Sequence, residues 1–235
     1  MIQARLEEVR RRIASAAQAA GRDAGAIHLI AVTKTVSAQQ AAEAVAAGIA
    51  NLGENRVQEG IAKRAALGRQ GRQVRWHLIG HLQRNKARLA AETFDVVHSV
   101  DSVDLAARLG QVVRPAGKLG ALVQVNVSGE ASKHGCRPEE AKPLVQAILE
   151  QGRLDWLGLM TMAPWSEDPE AAAPHFRRLR ELRDRLRSDL LSPEQREAGV
   201  GRELSMGMTG DFEAAVREGA TMVRIGTAIF GEREG

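Results

Sequence analysis

The chain of 235 residues predicts an α/β protein built as a (β/α)8 TIM barrel, on three observations. Eight short apolar segments with strand character alternate with stretches of helical period, and that alternation implies parallel strands joined by right-handed crossovers. Eight such units fill a length close to the ~250 residues that a barrel uses. No internal repeat, low-complexity tract or linker divides the sequence, so residues 1–235 are expected to form one domain. A doubly wound open sheet is the alternative arrangement for the same alternation.

Each element has a local reason. Residues 2–20 form a charged amphipathic leading helix, which Gly21 is placed to end. Residues 27–37, IHLIAVTKTVS, organise the chain: five of the six residues from 27 to 32 are apolar, as suits a strand covered on both faces. Ser37 can cap a helix running to Gly48. IANLGEN supplies the second strand, with a helix over residues 56–67, and RWHLIG at 75–80 the third, with a helix through LQRNKARLAAE. FDVVHSVDS is the fourth strand, ending on a cap for the helix through VDLAARL. LGALVQVNVS at 119–128 is the fifth and clearest strand, separated by the polar loop GEASKHGC from the helix PEEAKPLVQAILE. LDWLGLMTM at 154–162 is the sixth, followed by a long arginine-rich helix. Residues 188–201 lack a clear period and read as a surface loop. ELSMGM at 203–208 is the seventh strand, GDFEAAVREG a short helix and TMVRIGTAIFG the eighth strand.

Composition narrows the function classes. Apolar residues make up 44%, against general disorder. The 33 basic residues exceed the 29 acidic ones only slightly and are spread along the chain, which argues against a nucleic-acid surface. The densest basic run, HFRRLRELRDRLR at 175–187, carries Leu179, Leu182 and Leu186 on one helical stripe, with Glu181 four residues before Arg185. That is the pattern of a solvated amphipathic helix. Cys136 is the sole cysteine, so no intramolecular disulfide can form. The first residues do not resemble a signal peptide, and no apolar run approaches the ~20 residues of a membrane span. A cytoplasmic protein without membrane or nucleic-acid partners is expected.

In a barrel the functional groups lie at the carboxyl ends of the strands and just beyond them. Those positions hold Lys34, then Glu54 and Asn55, His81, Ser99 and Asp101, Asn126 and Ser128, Thr161 and Met162, and finally Met208, Thr209, Gly210, Arg224, Gly226 and Thr227. A lysine that follows a buried strand without a break invites two readings. It either reaches into water along its apolar stem, or it is partly desolvated and so able to attack a carbonyl carbon. The last group is suited to phosphate: Thr209 and Gly210 open a short helix, Gly226 lets the backbone approach closely, and Thr227 offers a hydroxyl. Closure of a barrel sets strand one beside strand eight, and a reactive amine beside a phosphate cup suggests a phosphorylated aldehyde, with pyridoxal 5′-phosphate the leading candidate.

AVTKT, LGENRVQE, WHLIGHLQRNK, NVSGEASKHG, GLMTM, LSMGMTGDFEAAVREG and TMVRIGTAIFGER, in that order and across nearly the whole chain, resemble the YggS/PROSC family of pyridoxal phosphate homeostasis proteins. The resemblance implies a barrel like the N-terminal domain of alanine racemase, of PLP fold type III, with an extra leading helix. It implies that Lys34 carries the cofactor as an internal aldimine, that Asn55 lies beside it, and that Arg224 faces the pyridine nitrogen. It also implies that Ser205, Thr209, Gly226 and Thr227 hold the phosphate. Arginine beside that nitrogen discourages its protonation and weakens the ring as an electron sink; a structural ion pair across strands is the other reading of Arg224. Alanine racemases need a tyrosine from a second domain as second acid/base, and this chain has no tyrosine. A monomeric carrier or buffer of pyridoxal phosphate without robust catalysis is therefore expected, with PLP-dependent apoenzymes as recipients. A weak racemase-like enzyme and a cofactor-free Schiff-base aldolase are the competing functions.

Four further features are weighed and set aside. His77 and His81 have helical metal spacing but straddle a strand and its loop without a third ligand. Lys133 in the SKHG loop reads as an exposed base, or as a second, low-affinity amine for the cofactor. Cys136 has no partner that would activate it. Trp76, Trp156 and Trp165 are expected to be packing residues.

Overall fold

The computed structural model describes residues 1–130 and 133–231. Eight parallel strands, β1 (His28–Val32), β2 (Asn51–Glu54), β3 (Arg75–Leu78), β4 (Val96–Val100), β5 (Leu119–Gln124), β6 (Leu154–Met160), β7 (Glu203–Ser205) and β8 (Met222–Ile225), close into a barrel in sequence order. Closure is carried by β1 on β8, from His28 opposite Met222 to Ala31 opposite Ile225. The helices are α1 (Ile2–Ala19), α2 (Ala38–Ala46), α3 (Val57–Gly71), α4 (Ala87–Thr93), α5 (Val103–Val112), α6 (Ala141–Glu150), α7 (Ala173–Leu190), α8 (Pro193–Glu197), α9 (Phe212–Arg217) and α10 (Thr227–Phe230).

The leading helix α1 buries Ile2, Leu6, Val9, Ile13, Ala16 and Ala17 along one stripe. It packs on α9 and α10, where Arg12 bonds Glu213 at 2.7 Å and lies over the Phe212 ring. Ser37 caps α2 in a reciprocal box with Gln40, as the sequence indicates. No helix among the described residues is long and apolar enough to cross a membrane.

Two apolar layers result. A large cluster fills the space between the strands and the helices, and a small one inside the barrel consists of Ile30, Val96, Leu122, Met160 and Met222. Strand side chains alternate with period two, so the residues beyond this inner plug share its face toward the carboxyl ends. Ile30 leads to Val32 and Lys34, Val96 to His98, Leu122 to Gln124, and Met222 to Arg224 and Gly226. The inner plug thus floors a polar layer.

Three expectations need correction. The eighth strand ends at Ile225 rather than Gly231, because the chain turns at Gly226 into α10 and buries Ile229. Residues 188–201 are not a loop: α7 continues to Leu190, and Ser192 and Gln195 form a capping box that starts α8. Helix α8 buries no residue, so it leaves no apolar period to read. Trp76 and Trp156 are buried, whereas Trp165, expected to pack, is 83% exposed in the segment after β6.

Gly158 tests the β6 to β7 contact. Its φ is +150°, and a Cβ there would run into the Glu203 carbonyl oxygen. Gly158→Ala should lose about 3 kcal/mol or more of stability by urea denaturation, from backbone strain and overpacking together.

Candidate functional site

At the carboxyl ends of the strands lies a cavity of about 480 Å³, within the range typical of small-molecule sites. It is lined on one side by Lys34, Thr209, Gly210, Arg224, Gly226 and Thr227, and by Asn55, His81, Gln124, His134 and Met162 among others. Six of the seven residues singled out as cofactor ligands therefore share one cavity.

Lys34 follows β1 in a turn that other residues fix. Lys63, on α3, bonds both the Thr33 carbonyl and Glu54 Oε1 at 2.5 Å, and the Thr33 hydroxyl donates to the same carboxylate oxygen. Glu54 is fully buried and Lys63 nearly so, so this ion pair grips the backbone one residue before Lys34. Thr35, one residue after it, has φ 63°, unique among the described non-glycine residues. A left-handed threonine persists only where its surroundings over-determine it, and such strain gathers at functional sites. The sequence carries only a faint signal for this contact, a lysine on the helix after a strand that ends in glutamate.

Arg224 is 3% exposed on β8. Its Nη1 donates to Ser205 Oγ at 2.7 Å and its Nη2 to the Thr161 carbonyl at 2.9 Å. Burial pushes its pKa down to about 10, with Asp211 opposing, so the guanidinium stays charged at neutral pH. Among the described residues it forms no ion pair. The Asp211 carboxylate instead accepts from the Met208 N–H, at 2.6 Å, and burial raises its own pKa.

Beside these two cations lies a set of free donors. The N–H groups and hydroxyls of Thr209 and Thr227, and the N–H groups of Gly210 and Gly226, have no hydrogen-bond partner among the described residues. A cavity edge with two cations, unused donors and no carboxylate in contact is built for an anion.

Ser205 is placed differently from the expectation. It is fully buried, does not line the cavity, and its hydroxyl is engaged by Arg224 and by His98 Nδ1 at 2.8 Å. Its oxygen accepts from Arg224, so it supports that guanidinium and does not itself line the cavity. Other strand-end candidates are also occupied: Ser99 bonds the Gly80 carbonyl, Thr161 the Val125 carbonyl, and Asn126 and Ser128 bond within their own loop. On the far wall His81 Nδ1 is 3.3 Å from Asp101 Oδ2, and its ring stacks on His134 at 4.5 Å between centroids. Gly80 is needed there, since a Cβ would run into the Asn55 backbone. His77 points away from His81, into the barrel, where it bonds His98. Cys136 is buried, and desolvation pushes its thiol up to about 12, so it stays protonated.

The match to known proteins runs the length of the chain. Residues 4–234 fit the family model described as alanine racemase, N-terminal domain. The pyridoxal phosphate homeostasis protein of Pseudomonas aeruginosa is 46% identical over 232 residues, 97% of this chain and 94% of that one. The chain belongs to the pyridoxal phosphate homeostasis family. The Aquifex aeolicus member is 42% identical over 98% of this chain and 97% of its own. The family structure of PipY from Synechococcus elongatus with PLP bound superposes with a TM-score of 0.82 at 35% identity, covering 98% of this chain and all of that one. Alanine racemase from Corynebacterium glutamicum shares the fold, with a TM-score of 0.67 at 16% identity over 97% of this chain and 62% of its own.

The buried histidines give a pH test. Burial, with Arg75 and His28 nearby, lowers the pKa of His77 to about 3. Below about pH 6.5 the unfolded chain binds a proton that the folded chain refuses, so stability falls with acidification by about 1.4 kcal/mol per pH unit for this group. Urea denaturation between about pH 6.5 and 4 should show wild type losing that much relative to His77→Gln.

Proposed function

We propose that this protein binds pyridoxal 5′-phosphate, holds it covalently through Lys34 Nζ, and serves in cofactor homeostasis as a carrier or buffer without robust turnover. The observation that carries this reading is the cavity edge where Lys34 and the buried Arg224, without an ion pair among the described residues, stand beside the donors of Thr209, Gly210, Gly226 and Thr227, which are unused among those residues. The names of the family members and the PLP-bound PipY structure support the choice of cofactor.

In this reading Thr209, Gly226 and Thr227 donate to the phosphate oxygens, Asn55 lies beside the ring, and Arg224 meets the ring nitrogen as a permanent donor. When bound, the cofactor supplies an electrophilic aldehyde and an electron-accepting ring. Arg224, held charged and donor-only, leaves that ring nitrogen unprotonated, which weakens carbanion chemistry. No tyrosine stands in the walls, since the sequence has none. The chain acts as one cofactor-binding domain, a cytoplasmic monomer that passes its cargo to apoenzymes.

A second reading, a weak racemase-like enzyme, draws on one observation: His81, backed by Asp101, lines the same cavity and could move a proton. Amino acids incubated with the loaded protein in deuterated water separate the two. Slow or absent α-carbon exchange is expected, and rapid exchange would favour the enzyme.

Adding pyridoxal phosphate should turn the protein yellow, and borohydride followed by peptide mapping should place the adduct on Lys34. Lys34→Ala should abolish the visible band while changing stability by less than about 1 kcal/mol, because that amine has no hydrogen-bond or ion-pair partner among the described residues. A colourless wild type, or an adduct elsewhere with Lys34 free, would refute the assignment.

A further inference from the structure

A file of polar side chains crosses the barrel interior beneath Arg224. Its Nη1 lies 2.7 Å from Ser205 Oγ, which is 2.8 Å from His98 Nδ1. His98 Nε2 is 2.8 Å from His77 Nδ1, and His77 Nε2 is 3.1 Å from Asn51 Oδ1. Ser205, His98 and His77 are at most 1% exposed, and they come from β7, β4 and β3. Asn51, at the start of β2, lines a separate cavity of about 410 Å³ with Arg10 and His28. The file therefore runs from the floor of the candidate site to the opposite end of the barrel.

The Asn51 end, whose carbonyl oxygen faces His77 Nε2, fixes the direction of every bond. A guanidinium only donates, so Ser205 Oγ accepts from Arg224, and at this end alone its hydroxyl is free to donate to His98 Nδ1 or to accept from it. A carbonyl oxygen only accepts, so His77 must carry its proton on Nε2 to reach Asn51. The one assignment that satisfies all four bonds with neutral rings makes both histidines Nε2–H tautomers. Neutrality follows from their setting: both rings are desolvated, Arg75 and His28 lie near His77, and His77, Arg224 and Arg75 lie near His98. No carboxylate joins the file, so these side chains hold Arg224 in place without neutralising its charge, and Asp211 acts on it only through space.

We propose that Ser205, His98 and His77 are positioning residues for Arg224, a one-way relay of neutral donors that fixes the guanidinium plane and leaves its positive charge facing the ligand in the cavity. The proposal deepens the cofactor reading of that cavity and rests on it for the identity of the ligand. The tautomers themselves do not.

The test has two arms. Nitrogen-15 NMR of histidine-labelled, unloaded protein should show His77 and His98 as neutral Nε2–H tautomers that do not titrate between about pH 5 and 8, where an ordinary imidazole does. An Nδ1–H form or a titration at either ring overturns the relay, whether or not the protein takes up a cofactor. In the second arm, Ser205→Ala and His98→Leu, each checked for folding by thermal denaturation, should bind pyridoxal phosphate about tenfold or more weakly, the scale of one supporting hydrogen bond. The pH at which the bound chromophore titrates should move with them. His98→Gln, whose amide offers one acceptor and one donor, should recover most of the affinity. Folded variants with unchanged affinity and unchanged chromophore titration would overturn the proposal, as would equal losses in His98→Leu and His98→Gln. Failure of wild type to bind the cofactor at all would instead refute the reading of the cavity, leaving the tautomer result to stand alone.

Discussion

The site is organised by one buried charge. Arg224 has been taken almost wholly out of water and given only neutral partners, the Ser205 hydroxyl and the Thr161 carbonyl. Desolvating a cation without a counter-ion is costly, and those hydrogen bonds offset only part of that cost. The barrel tolerates the charge because one side of it faces an open cavity where an anion can complete the balance. The same positive field bears on the interior around it. It adds to desolvation in keeping His98 neutral, which lets a run of histidines behave as directional hydrogen-bond groups in place of charges.

Two cations meet in this cavity, and the fold restrains them by different physics. Arg224 is fixed at its side chain, through neutral contacts from neighbouring strands. Lys34 is fixed at its backbone: the Lys63–Glu54 pair clamps the preceding carbonyl and Thr35 takes a left-handed turn, while the amine itself stays free. A side chain held by two hydrogen bonds and an amine positioned only through its backbone thus meet at one cavity edge. Buried ion pairs contribute little net stability but are costly to break, so this clamp serves geometry more than folding energy.

Much of this was legible in the sequence. Alternating strands and helices gave the barrel, and the rule that function sits after the strands placed Lys34, Asn55, Thr209, Arg224, Gly226 and Thr227 in a common region. What could not be read was which polar residues face the cavity and which support those that do. Ser205 and Arg224 both lie on inward-facing strand positions, and nothing in their types says that one stands behind the other. Lys63 and His98 belong to elements whose apolar period explains them adequately as packing residues. The five-residue helix α8 and the short turn into α10 lack the length on which periodicity depends.

Barrel closure has a consequence for how the protein comes into being. The amine comes from the first strand and the arginine from the last, and they meet only through the pairing of His28 to Ala31 with Met222 to Ile225. A chain emerging from the ribosome presents Lys34 early but lacks the arginine until β8 has been made. Assembly of this two-cation edge is therefore tied to synthesis of the eighth strand and closure of the barrel. A growing polypeptide that has not reached β8 cannot present both cations to one anion, so the barrel must close before the cavity edge exists.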